Sequence, residues 1–269
     1  MKKDFPMDNS PMQLPKIATS AVVLLVMFLA SSVEGRELSQ IQSAGKIKIG
    51  SSTTSPGFLY KNGTVRAGFA VDLVNILSSQ MKIKKVDWLE ASTTDALFKG
   101  IDSGSFDVIL DAKLPPPRYN VNISVSVACT GGVILGRPGG PTKEAQLRGK
   151  RIAVAEKTQY AAYARNLPFQ KNVVVFDTPD QALLAFLNGS VDVLVLDRLE
   201  ALTMYKRVGP TKLQVSPVLW NEEIHFVMPH TSDAFRDAID AALAKTMANG
   251  SYANLSKKYF SEDIRCSDG

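Results

Sequence analysis

The chain has 269 residues, 45% of them hydrophobic and 21% charged, which allows one large globular domain or two small ones. The net charge of +5 is modest. The one dense basic stretch, KEAQLRGKR (143–151), has no aromatic residues among its charges. That excludes a nucleic-acid surface and leaves a solvated loop before a strand.

In chain order, the first element is IATSAVVLLVMFLA (17–30), an apolar to weakly polar run of 14 residues after Lys16. It is too short to span a bilayer comfortably and fits the apolar core of a secretory signal peptide. Ala30, Ser32 and Gly35 offer small residues for cleavage, and cutting after Gly35 makes residues 1–35 the signal. Asp4 and Asp8 are unusual there, which leaves Met7 and Met12 open as start sites; a permanent N-terminal anchor is the alternative. No cysteine lies near the cleavage point, and no second apolar run reaches 18 residues. The expectation is a soluble mature chain in the periplasm.

KIKIGSS (46–52) then reads as a strand. In FAVDLVNILSSQM, Ala70, Leu73, Val74, Leu77 and Met81 share one helical face, and KVDWLEA is strand-like again. This alternation predicts an α/β fold of parallel sheets with crossover helices. A further signal is an echo: TTDALFKGIDSGSFDVILD (93–111) resembles TPDQALLAFLNGSVDVLVLD (178–197). Each starts with a threonine suited to capping a helix and carries an aspartate, Asp95 or Asp180, where the helix dipole favours it. Pro179 suits a first helical position. Each helix stops at a glycine, Gly104 or Gly189, and enters a strand that ends in Asp111 or Asp197. Chance similarity of two αβ units is the bland explanation; two similar lobes is the one preferred. Ligands of open α/β sheets bind beyond the carboxyl ends of strands. From the first such end departs KLPPPRYN (113–120), whose prolines stiffen the arm that carries Arg118.

Two cysteines, Cys129 and Cys266, permit either one disulfide or two free buried thiols. His225 and His230 have no Cys or carboxylate spacing around them in sequence, so no metal site is expected.

GKIKIGSS, GFAVDLVNIL, GSFDVIL with its proline-arginine turn, LRGKRIAV, ALLAFLNGSVDVLVLD and MANGSYANLSKKYF follow one another over residues 44–262. In that order they resemble the extracellular solute-binding proteins of family 3, which serve polar amino-acid importers. The resemblance implies a two-lobed type II periplasmic-binding-protein fold, each lobe a mostly parallel sheet flanked by helices, with the ligand cleft between. Residues 36–130 plus 224–269 would form lobe 1 and residues 131–223 lobe 2, with crossings near 129–132 and 222–225. It also implies a monomer without cofactor or catalysis. Such a protein captures a small carboxylate-bearing ligand, an amino acid or derivative, and delivers it to an ABC permease in the inner membrane. In such proteins an arginine forks the ligand carboxylate, which matches Arg118. The turn after RIAV adds helix N–H groups, which matches Thr158 and Gln159. The second strand-end aspartate, Asp197, takes the ammonium, and an aromatic near the first loop, Phe58, stacks on the ligand. The plain alternatives are a surface Arg118, caps at Asp197 and Thr158, and a core Phe58.

The chain departs from the family pattern in places. DAKLPPPR brings Asp111 and Lys113 where small polar residues are usual, and Asp111 enters as a further ligand contact. Lys157 replaces the turn glycine, and GSSTTSPGF has hydroxyls but no acid. An organic acid or modified amino acid therefore stays open as ligand. Two other functions are weighed. Glu200 stands three residues after Asp197, where related cyclohexadienyl dehydratases keep a general acid. A periplasmic accessory or sensory partner of an exported dehydrogenase is the second.

Overall fold

The computed structural model describes residues 1, 35–51, 55–111 and 119–266; the side chain of Asp111 is also outside the description. Residues 2–34 of the expected signal peptide and the proline arm with Lys113 and Arg118 therefore fall outside it. From residue 35 onward the order is α1 (Leu38–Ala44), β1 (Lys46–Ser51), the hairpin β2 (Tyr60–Asn62) and β3 (Val65–Ala67), and α2 (Phe69–Gln80). Next come β4 (Lys85–Glu90), α3 (Thr94–Asp102), β5 (Val108–Asp111), β6 (Val121–Ile123) and the long β7 (Ala128–Gly136). β8 (Arg151–Ala155), α4 (Gln159–Asn166), β9 (Asn172–Phe176), α5 (Pro179–Leu187), β10 (Val193–Asp197) and α6 (Arg198–Val208) follow. β11 (Gln214–Val215), the long β12 (Trp220–Pro229), α7 (Asp233–Ala248) and α8 (Ser251–Phe260) complete the series.

Apart from the β2–β3 hairpin, the strands form one sheet in the order β4-β1-β5-β12-β7-β10-β8-β9, with β6 added on β12 and β11 on β7. β4, β1 and β5 are parallel to one another, as are β10, β8 and β9. Between the two triads run β12 and β7, antiparallel to each other and to the triad strand each adjoins. The echo has a direct structural meaning. Thr93 caps α3 through Ala96 N–H at 3.1 Å, and Thr178 caps α5 through Gln181 N–H at 3.3 Å. Gly104 (φ 67°) and Gly189 (φ 84°) both take the left-handed turn that ends a helix. β5 and β10 then occupy the same rank, third from their edges.

Apolar side chains cover both faces of each half. The α2 stripe is buried as its spacing predicts, with Leu73 fully inside, against Ile47, Ile49, Phe226 and the α7 residues Phe235, Ile239 and Leu243. Leu97, Phe98 and Ile101 of α3 cover the opposite face. In the second half, α5 and α6 close one face around Phe186, and α4 closes the other around Ala161 and Ala164. α6 is shared: Ala201 and Met204 serve the second half while Leu199 and Leu202 enter the first core. No helix among the described residues is long and apolar enough to cross a membrane.

The chain end returns to the middle of the sheet. Cys129 on β7 is bonded to Cys266, with Cα atoms 4.8 Å apart, so the disulfide alternative is the one realised. The Cys129 N–H donates to the Ile264 carbonyl at 2.8 Å. Tyr252 of α8, fully buried, donates its hydroxyl to the Val127 carbonyl at 2.6 Å and sets its ring edge-on to Phe69. Tyr252→Phe keeps the ring and removes that bond. It is expected to cost about 1–2 kcal/mol, lowering the melting temperature by roughly 2–6 °C in a thermal melt; an unchanged melt would show that the bond contributes nothing.

Candidate functional site

Two neighbouring parallel strands, β8 and β10, deliver their carboxyl ends to the same edge of the sheet. β10 passes straight into α6, while β8 reaches α4 through a short turn. In that turn Lys157 adopts φ 57°, the left-handed region where glycine is the unstrained choice. Its ammonium lies 2.8 Å from Glu156. Thr158 closes the turn. Its Oγ1 accepts from Ala161 N–H at 3.2 Å and donates to the Ala155 carbonyl at 2.7 Å. The Gln159 and Tyr160 N–H groups have no acceptor among the described residues, the normal state of a first helical turn.

Asp197 caps α6. Oδ1 accepts the N–H groups of Leu199 (2.8 Å) and Glu200 (3.2 Å). Oδ2 accepts the Thr130 hydroxyl at 2.6 Å and the Tyr160 hydroxyl at 3.1 Å. Burial pushes the Asp197 carboxyl above the usual carboxylate range, and these four donors pull against it. Thr130 lies on β7 and Tyr160 on α4, so one carboxylate joins three elements.

A second carboxylate stands nearby. Glu222 of β12 accepts Gln159 Nε2 and the Trp220 indole N–H at 2.9 Å through the same oxygen. The Trp220 ring stacks on Tyr160 (centroids 5.8 Å apart) and meets Tyr163 at 4.8 Å. It also covers Gly132, where a β-carbon would come 2.2 Å from the indole. This edge therefore combines an open helix N-terminus, two carboxylates and an aromatic wall.

The expected residues fall unevenly on this frame. Thr158, Gln159 and Asp197 come together, and the first and last of these cap helices as well. Phe58 corrects an expectation: it is 5% exposed and stacks on Phe69 at 5.8 Å, so its face is committed to the first core. Asp111 ends β5 on the other triad, in register with His225, and Arg118 is outside the described residues. Thr130, Tyr160, Glu222 and Trp220 were not singled out in the sequence. Tyr160 sits in the quoted turn EKTQY, but nothing local says that its hydroxyl reaches a residue 37 positions away.

Glu200 lies just beneath. It lines a small, partly open cavity of about 30 Å³ with Thr158, Tyr160, Pro179 and Ala182. Burial, then the charges of Asp197 and Asp180, push its carboxyl up to about 7, with Arg207 opposing. That cavity has room for about one water and none for a substrate.

The comparisons with known proteins agree with this fold. Residues 47–262 match the family of bacterial extracellular solute-binding proteins, family 3. The chain belongs to that family. It is therefore a solute-binding protein and not an enzyme. It is 24% identical to the probable amino-acid-binding protein YxeM of Bacillus subtilis strain 168, covering 94% of this chain and 98% of that one. It is 21% identical to the L-cystine-binding protein TcyJ of Escherichia coli K12, over 91% and 94%. Among solved structures, a polar amino acid ABC uptake transporter substrate-binding protein from Streptococcus thermophilus superposes with TM-score 0.74. It shares 21% identity over 85% of this chain and 90% of that one. The L-cystine solute receptor of Neisseria gonorrhoeae gives TM-score 0.72 at 19% identity, over 86% and 99%. The fold is the two-lobed type II periplasmic-binding-protein arrangement, each parallel triad extended by antiparallel strands.

The raised Glu200 carboxyl fixes the sign of one pH dependence. Its folded value lies above its ordinary 4.5, so the folded chain holds the proton more tightly than the unfolded one. The associated stability is full below about pH 4.5 and lost as pH rises through about 7. Glu200→Gln mimics the protonated form. It is expected to be more stable than wild type by up to about 3 kcal/mol at pH 8 and equal to it at pH 4, read by denaturant unfolding. Parallel pH profiles for the two proteins would refute the buried-carboxyl account.

Proposed function

We propose that the chain is a periplasmic amino-acid-binding protein that passes its ligand to an ABC permease in the inner membrane. The observation that carries the reading is the pairing, on one strand edge, of the open α4 N-terminus with the Asp197 carboxylate. A free amino acid is a dipolar ion. Its carboxylate suits unpaired helix N–H groups, and its ammonium suits a carboxylate already held by Thr130 and Tyr160. Trp220 and Tyr160 supply an aromatic boundary beside it. Arg118 and Asp111 would meet the ligand from the other lobe, the first forking the carboxylate.

In this reading lobe 1 comprises residues 36–130 and 224–269, and lobe 2 residues 131–223. The ligand would bind one lobe first, and closure of the other would exclude water. Ion pairs then act in a lower dielectric, and the ligand shifts the open–closed population by its differential affinity. Relatives named for binding amino acids, L-cystine or arginine support an amino-acid ligand of this general class. Export with removal of residues 1–35 would bring the protein to the compartment where such a permease collects its cargo.

The test is a thermal-shift screen of amino acids and their derivatives, with Asp197→Asn and Arg118→Ala run beside wild type. Asparagine keeps the Oδ1 cap acceptor at Asp197, removes the charge and replaces the oxygen that Thr130 and Tyr160 donate to by an amide nitrogen. A ligand at 100 times its Kd adds about 2.7 kcal/mol, or roughly 5–10 °C for a chain of this size. Wild type is expected to shift with one zwitterion, and both variants to bind it at least about ten-fold more weakly. No shift with any zwitterion would overturn the reading, and equal affinity in Asp197→Asn would remove that residue from the site.

A further inference from the structure

The C-terminal tail brings a second chemistry to the middle of the sheet, on residues that the ligand reading does not use. Cys129 on β7 faces Glu223 on β12 in the antiparallel register, and Cys266 arrives from the tail. The two sulfurs and one Glu223 carboxylate oxygen all lie within 4.8 Å of one another. Two residues along β12, on the same face, His225 Nε2 lies 3.3 Å from Glu223 Oε2. Its other nitrogen, Nδ1, is 2.9 Å from the Ser124 carbonyl. A carbonyl can only accept, so Nδ1 carries the hydrogen, and Nε2 faces the Glu223 carboxylate. Ser126 Oγ, 2.8 Å from Cys266 Sγ, is a hydrogen-bond partner able to stabilise a thiolate there. The tail is anchored independently of the sulfurs. Arg198 pairs with Glu262 and donates to the Cys129 carbonyl at 2.9 Å, and Ser256 binds the Glu262 carbonyl and the Ile264 N–H.

We propose that reduction of the Cys129–Cys266 disulfide converts this corner into a thiophilic metal site of the Zn2+ class, with Cys129, Cys266 and Glu223 as ligands, water in the fourth position and His225 held against Glu223. Two thiolates and a carboxylate are donor types that tetrahedral zinc takes, with water completing an open site. The chemistry balances as follows. A dithiol reductant delivers two electrons and two protons, the S–S bond breaks, and the reductant leaves as its own disulfide. Metal binding then releases the two thiol protons to solvent. In the oxidised chain both sulfurs are bonded to each other and the site is closed. The metal would replace the disulfide as the link between tail and sheet.

The experiment uses the full chain and Co2+ as a spectroscopic stand-in for Zn2+. Oxidised and reduced protein are titrated with Co2+ after the reductant has been removed under nitrogen. The expected result is one equivalent bound by the reduced chain only, with a thiolate-to-metal charge-transfer band that Zn2+ abolishes. The double variant Cys129→Ser/Cys266→Ser should lose the band. Glu223→Gln, which keeps both thiols, should weaken binding by about ten-fold or more. A band of equal strength in the oxidised chain, no band in a reduced chain that circular dichroism shows folded, or an unaltered Glu223→Gln would each overturn the proposal. Should reduction unfold the chain, refolding on one equivalent of Zn2+ supports it and failure to refold overturns it.

Discussion

The antiparallel pairing of β7 with β12 is the contact on which the remaining architecture depends. Five residue pairs, from Trp220↔Gly132 to Ile224↔Ala128, join two parallel triads that share no other strand. The same register determines which side chains meet. It sets Thr130 beneath Asp197, turns Glu222 towards Gln159, and aligns Glu223 with Cys129. A slip of one residue would turn each of these to the opposite face, because side chains alternate along a strand. Gly131 and Gly132 enforce the register sterically. A β-carbon at Gly131 would come 1.9 Å from the Trp220 carbonyl, and at Gly132 it would enter the indole.

α6 connects this central pairing to both cores. Its first residue follows directly on Asp197, and its two apolar faces enter different halves. Arg198 and Thr203 reach across to the tail and to the Pro56 carbonyl. Asp197 thus caps a helix packed on both halves while standing at the candidate ligand edge.

Much of the fold is legible in the chain. The α2 stripe, the strand alternation and the paired Thr…Gly…Asp units announce two αβ series, because periodicity, caps and turn glycines are local properties. Asp197 could likewise be singled out from its position at a strand end, whereas Thr158 was reached only through the resemblance of its turn to the family's. Phe58 was misplaced, since an aromatic beside Gly57 and Leu59 reads equally as a wall or as a core residue. Only its stacking on Phe69 decides between them. Tyr160, Thr130 and Glu222 carry no local mark, because their partners lie 37 to 67 residues away on different elements.

The two αβ series and the helix ends were already written in the chain. Each depends on neighbours within a turn or two. Tertiary structure decided the disulfide over two free thiols, since Cys129 and Cys266 are 137 positions apart and meet only when the tail crosses β7. It also decided that Asp197 shares its charge with three elements and that His225, apparently isolated, faces Glu223. Those outcomes depend on strand register and crossover direction, which arise from how two halves of a sheet are joined and not from any single stretch of chain.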